Sequence, residues 1–291
     1  MRELFCVGYG YSAQALGRRL LERGWSVSGT SRTPPGAPGR DAGGVEILAY
    51  DGTRHDAAVA ERIARATHLL MSAPPGESGD PLLAHHAEDI ASAPHLEWIG
   101  YLSTVGVYGN HDGVWISEDA ALKATQKRGR WRIAAEKAWL ELGRRSGKPV
   151  HVFRLAGIYG PGRSAIDKLQ QGKARRIVKP GQVFNRIHVE DIAATLEASI
   201  ARPSPGAIYN VADDEPAPPQ DLIAYGAGLL GVDPPPGIAF EDADLTPMAR
   251  SFYGENKRVA NRRIREQLGV ELAYPTYREG LKALAAARKR D

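Results

Sequence analysis

With 291 residues, the chain is long enough to bury a substantial core, in one large domain or two smaller ones. Its 38 Lys and Arg against 34 Asp and Glu leave a formal charge of +4, which permits an anionic ligand and makes no case for nucleic acid. One cysteine, Cys6, excludes an intrachain disulfide, no segment approaches a membrane span, and no basic-then-apolar leader opens the chain, so the expectation is a cytoplasmic protein without membrane contact.

The apolar run Leu4-Phe5-Cys6-Val7 reads as a first strand, and Cys6 within it as core. Gly8-Tyr9-Gly10-Tyr11-Ser12-Ala13 follows and opens a helix over 12–22, with Leu16, Leu20 and Leu21 at helical spacing. Gly8 lets the turn close, Gly10 lets backbone approach a pyrophosphate, and the helix amides of Tyr11, Ser12 and Ala13 face that anion. Ala13 takes the third small position of a G-x-G-x-x-G/A fingerprint, where close helix-strand packing is required. Together these residues predict a dinucleotide site.

A second strand over 25–30 ends in Thr30-Ser31-Arg32 rather than in the carboxylate that would bond the ribose 2′-hydroxyl of NAD. Ser31 and Arg32 suit a 2′-phosphate, so NADP is favoured and NAD remains possible; the alternative is that Arg32 stacks on the adenine or faces solvent. A proline/glycine loop over 34–44 leads to a third strand over 45–48. Asp51 beyond it either meets the adenine edge or is an exposed turn aspartate. A helix over 57–66, a fourth strand over 68–71, a helix over 81–92 and a fifth strand over 98–102 continue the alternation. Ala73 and Pro74, at the carboxyl end of the fourth strand, are read as a wall of the cofactor cleft. Strands alternating with helices predict an α/β doubly wound parallel sheet with right-handed crossovers.

The stretch Ser103-Thr104-Val105-Gly106-Val107-Tyr108-Gly109 resembles the S-S/T-x-x-V-Y-G segment of the extended short-chain dehydrogenases/reductases, the NAD-dependent epimerase/dehydratase family. Ser117-Glu118-Asp119, Arg154 to Gly162, Asn185 to Ala193 and Tyr209-Asn210-Val211-Ala212 are similar to later motifs of that family, in family order. The resemblance implies a Rossmann-type nucleotide domain at 1–155 and 187–211, and a small substrate lobe at 156–186 and 212–291. It also implies a homodimer through the helices over 81–92 and 130–145. One motif departs. The family's Y-x-x-x-K falls, in the register set by Ile133-Ala134-Ala135-Glu136, on Arg128 and Arg132. The chain therefore looks like the atypical members that have lost or altered the catalytic pair.

Arginine stays protonated, so Arg128 has no proton to exchange with a substrate hydroxyl. Arg132 can still hold the nicotinamide ribose, with Ser103 beside it. Arg128-Gly129-Arg130-Trp131-Arg132 reads either as a phosphate clamp or as a solvated basic face with Trp131 in the core. The resemblance makes Thr104 the residue that positions substrate, and offers Glu118 or Tyr108 for the proton; Tyr108 alternatively packs, and Glu118 alternatively caps the next helix. Arg128, Arg163 and Arg186 are candidates for holding a small, polar, anionic substrate. His188 and Asp191 are expected to anchor the following helix. The histidines are scattered, and adjacent His85 and His86 cannot share a helical face, so no metal site is expected. Beyond 211, helices are predicted over 221–230, 257–268 and 276–288. The competing functional reading is a non-catalytic dinucleotide-binding sensor or scaffold.

Overall fold

The structure, a computed structural model, describes residues 2–33, 41 and 43–288. Most of the loop expected over 34–44, and Lys289 and Arg290, lie outside the described residues. Cα packing divides the chain into two units. One comprises Met1–Val107, Lys127–Arg154 and Ile192–Tyr209; the other comprises Tyr108–Gln126, Leu155–Asp191 and Asn210–Asp291. The second thus takes in 108–126 and 187–191, which the sequence reading assigns to the nucleotide domain.

In chain order the elements begin with β1 (Glu3–Val7), α1 (Tyr11–Leu21), β2 (Ser26–Ser31), β3 (Glu46–Ala49), α2 (Ala57–Arg65), β4 (His68–Met71), α3 (Leu83–Ser92) and β5 (Trp98–Thr104). They continue with β6 (Trp115–Ile116), α4 (Lys127–Ser146), β7 (Val150–Leu155), β8 (Gly157–Tyr159), α5 (Ala165–Gln170), β9 (Arg176–Val178), β10 (Arg186–His188), α6 (Val189–Ala201) and β11 (Ile208–Val211). The last are α7 (Pro219–Leu230), β12 (Gly237–Ala239), α8 (Pro247–Phe252), β13 (Arg258–Val259), α9 (Arg262–Glu266) and α10 (Tyr277–Ala287).

Seven strands form one sheet in the order β11-β7-β5-β4-β1-β2-β3. The β1–β2, β1–β4, β2–β3 and β4–β5 pairs are parallel. From β1 the chain winds outward through β2 to β3, then returns to β4 on the other side of β1. That reversal opens a crevice at the carboxyl ends of β1 and β4, the place where open α/β sheets bind ligands.

Helices cover the sheet because their apolar residues fall on one stripe. Val59 and Ile63 bury one face of α2, and Leu16 and Leu20 bury one face of α1. They meet strands buried on both faces, such as β5, in which every residue but Thr104 is buried. The core joins Phe5, Leu69, Ile99 and Val152 of the sheet to Ile63, Ile90 and Trp139 of the helices. Truncating any of these aliphatic side chains to alanine would cost about 2–5 kcal/mol.

The second unit holds three two-stranded parallel pairs, β8–β10, β9–β12 and β6–β13. Its helices α5, α7 and α10 pack around Ile166, Leu222, Tyr277 and Leu281. Local signals set their ends. Ser164 with Asp167, and Thr276 with Glu279, form capping boxes; Pro219 starts α7, and Gly231 ends it at φ 69°. The helix expected over 257–268 is shortened to α9. Its first residues are held extended, because Arg258 N–H and Ala260 N–H donate to the carbonyls of Val114 and Ile116, and Val259 N–H donates to Asn185 Oδ1. Among the described residues, no helix is long and apolar enough to cross a membrane.

Candidate functional site

The turn between β1 and α1 has the geometry its glycines predict. Gly8 sits at φ +85°, and a Cβ on it would lie 2.8 Å from Ala73 N, the backbone just past β4. Its N–H donates to Thr30 Oγ1 at 3.0 Å, tying the turn to β2. Gly10 is the N-cap of α1 and brings no side chain to the helix amides, and a Cβ there would meet nothing within 4 Å among the described residues. An uncapped helix N-terminus fronted by open space is a seat for an anion. Ala13 is fully buried and Ser12 nearly so, which leaves their contribution to the backbone. Sequence reasoning missed Tyr9. Its ring fills the space that side chains on Gly17 of α1 and Gly29 of β2 would need, so those two glycines exist to admit it.

At the end of β2, Ser31 Oγ accepts from Thr33 N–H at 3.2 Å. Arg32 is exposed. Asp51 is exposed and accepts from both the N–H and the hydroxyl of Thr53, bonds that hold its carboxyl below the usual range. Of its two readings, this geometry is that of the turn aspartate. Pro74 is exposed beside the half-buried Ala73.

At the carboxyl end of β5, Ser103 departs from the cofactor expectation. It is 4% exposed, and its hydroxyl donates to Glu136, which is itself clamped by the Arg154 guanidinium with Nη2 at 2.8 Å. Thr104 Oγ1 accepts from Gly106 N–H at 3.1 Å and keeps its own proton to donate. Arg132 Nη1 donates to the Leu102 carbonyl and, at 3.4 Å, to Tyr101 Oη, with the guanidinium 5.8 Å from that ring's centre. The rest of its fork bonds no described residue. Behind it the buried Asp80 accepts from Trp139 Nε1 at 3.0 Å, and burial raises its carboxyl. Arg128 lies exposed in the first turn of α4, and Trp131 is only half-buried.

In the second unit, Tyr108 is fully buried and donates to Asn210 Oδ1 at 2.6 Å, a packing position rather than that of a proton donor to substrate. Glu118 is 6% exposed; its Oε1 accepts from Asn210 N–H at 2.9 Å and its Oε2 lies 3.5 Å from Arg263 Nε. It caps no helix, since residues 117–126 are irregular, and burial raises its carboxyl. Arg163 is exposed in the loop before α5. Arg186 departs from the substrate expectation: it is 9% exposed, and Nη1 donates to the carbonyls of Phe184 and Ala217, a strut between those segments. Asp191 accepts from Ala273 N–H and Tyr274 N–H, and His188 Nδ1 accepts from Glu190 N–H. Asp213, not singled out in sequence, is 1% exposed, and burial pushes its carboxyl up to about 8. Finally, the scattered histidines are not scattered in space: in the first unit His55, His86 and Asp89 converge.

No protein-family model matches the chain. A structure of a conserved protein of unknown function from Silicibacter pomeroyi DSS is 52% identical, covers 99% of this chain and 100% of that one, and has a TM-score of 0.89; the two are members of one family. A protein of Methylobacillus flagellatus assigned to the NAD-dependent epimerases/dehydratases is 27% identical over 99% of this chain and 98% of its own, with a TM-score of 0.71. The dTDP-glucose 4,6-dehydratase of Bacillus anthracis, solved with NAD, shares 14% identity and a TM-score of 0.80 over 100% of this chain and 97% of its own. The chain has the same fold as these NAD-dependent epimerases and dehydratases. Protein YeeZ of Escherichia coli K12 is 27% identical over 94% of this chain and 97% of its own. Further solved structures of the same fold, MoeE5 and the UDP-glucuronic acid 4-epimerase of Bacillus cereus among them, also hold NAD.

Proposed function

We propose that the chain is an NAD(P)-binding oxidoreductase or epimerase/dehydratase-like enzyme of the atypical extended short-chain type, which prefers NADP and acts on a small, polar, anionic substrate. The observation that carries this reading is the uncapped N-terminus of α1 behind Gly8 and Gly10, open in front and standing at the switch point of the sheet. The pyrophosphate belongs there, and the exposed Arg32 is the phosphate-seeking cation that favours NADP. The NAD found in solved extended short-chain enzymes supports the cofactor class.

When bound, the nicotinamide would supply hydride chemistry. The chain's own residues would then position and protonate. Arg132, anchored on β5 through Nη1, would hold the nicotinamide ribose with the rest of its fork. Thr104 donates its hydroxyl proton to a substrate oxygen. Glu118 is the group prepared to carry a proton, because burial favours its neutral form. Arg128 and Arg163, both exposed, supply positive charge for an anionic substrate.

Calorimetric titration of NADPH, NADP, NADH and NAD into the ligand-free protein and into Arg32→Ala tests the cofactor. The expected result is NADP(H) binding tighter than NAD(H), with the difference lost in the variant; if none of the four binds, the reading fails. The absence of the tyrosine/lysine pair supports a second reading, a non-catalytic NADP sensor or scaffold. The double variant Arg128→Tyr, Arg132→Lys separates the two: nicotinamide-linked turnover gained only by the double variant marks a decayed enzyme, whereas turnover in the parent marks an active one.

A further inference from the structure

Away from the glycine turn, the first unit brings together three side chains with the donor set of a metal site. Ligand-capable atoms of His55, His86 and Asp89 lie within 4.8 Å of one another. Asp89 Oδ2 is 2.7 Å from His86 Nδ1 and 3.0 Å from His55 Nε2, so both rings aim a nitrogen at the same oxygen. His86 is 1% exposed and interrupts its own helix. Its backbone leaves helical values within α3, at φ −131° and ψ 17°. Its ring meets the Tyr50 ring edge-on at 5.6 Å and lies 4.6 Å from that of His55. The floor of the cluster is therefore buried and its rim is open, with the side chain of His55 54% exposed and that of Asp89 31%.

We propose that His55 Nε2, His86 Nδ1 and Asp89 Oδ2 bind one divalent transition-metal ion of the zinc class, with water from the open rim completing the coordination. Two imidazoles and one carboxylate suit such borderline cations rather than magnesium or calcium. The ligands of a tetrahedral zinc at ~2.1 Å stand about 3.4 Å apart. The contacts of 2.7 and 3.0 Å must therefore open by about 0.7 and 0.4 Å, a shift within reach of rotation of the exposed His55 and half-exposed Asp89. Coordination through Nδ1 leaves the His86 ring proton on Nε2, so the long 3.3 Å contact from Asp56 N–H is relinquished, along with the two hydrogen bonds to Asp89 Oδ2 that the ion replaces. Asp56 is the N-cap of α2. The ion would thus fasten the start of α2 to α3, where hydrogen bonds alone do so now.

The test uses the untagged full-length chain, stripped with a chelator and dialysed, with zinc titrated by calorimetry and cobalt(II) added as a spectroscopic probe. The expected result is one equivalent of zinc bound at micromolar or tighter affinity, with visible cobalt absorption of a low-coordinate N/O site. His55→Ala and Asp89→Asn should each weaken binding by about tenfold or more, because each removes one of three protein ligands. Neither changes a buried ring, so both should keep the parent's circular dichroism, whereas His86 substitutions risk the fold. Zinc should raise the melting temperature of the parent and not that of His55→Ala. His95→Ala, at an exposed histidine outside the cluster, should bind as the parent does. No saturable zinc binding by the parent, or undiminished binding by either cluster variant, would overturn the proposal and leave a hydrogen-bonded staple.

Discussion

Asp213 shows what burial does to a single carboxyl. Its Oδ1 accepts from Glu215 N–H at 3.3 Å, its Oδ2 has no hydrogen-bond partner among the described residues, and desolvation outweighs the nearby charge of Arg186. Its carboxyl is thus raised from 3.8 to about 8. Between those limits the folded chain holds a proton that the unfolded chain has released. The stability from this group is therefore full below the lower limit, falls as pH rises through the window by at most ~1.4 kcal/mol per unit, and levels off above about pH 8. Denaturant unfolding at pH 5 and pH 8 should show Asp213→Asn losing less stability over that interval than the parent; equal losses would mean that Asp213 stays ionised. At the same scale, Gly8 and Ser103 mark the reach of sequence reasoning. Gly8 is legible because a positive φ and a close approach are local demands that only glycine meets. Ser103 is not, because its hydroxyl is taken by Glu136 from 33 positions along the chain.

Among the elements, those with terminal signals of their own follow the sequence most closely. The boundaries expected over 276–288 land on α10 because Thr276 and Glu279 cap each other reciprocally, and Thr276 Oγ1 also accepts from Arg278 N–H. Thr276→Ala should lower stability by about 1 kcal/mol, measured by denaturant unfolding, with the loss confined to removal of the cap. The segment over 257–268 has no comparable start signal and is captured by strand pairing with β6, so only α9 remains helical. Short strands such as β6, β9 and β12 escape a periodicity reading for the same reason. With two or three residues each, they have no pattern of their own and exist through their partners. The kink of α3 at His86 is likewise written in no breaker residue.

For the molecule as a whole, the order β3-β2-β1-β4-β5 puts the glycine turn and the Ala73 backbone side by side at the reversal of the sheet. Bound NADP should stabilise the first unit by RT ln(1 + [L]/Kd), about 2.7 kcal/mol at a hundredfold excess over Kd. Hydrogen exchange should report this as added protection at residues 8–13 and 71–74; protection absent there but present elsewhere would move the cofactor from the turn. The sequence alone determined the β–α alternation and the glycine turn, since each rests on residues close together in the chain. Only the tertiary structure decided which hydroxyls and cations are already engaged, as with Ser103 and Arg186, and which distant groups meet, as with His55, His86 and Asp89. The physical reason is that backbone preferences act over a few residues, whereas the partner of a polar side chain is chosen by how the whole chain packs.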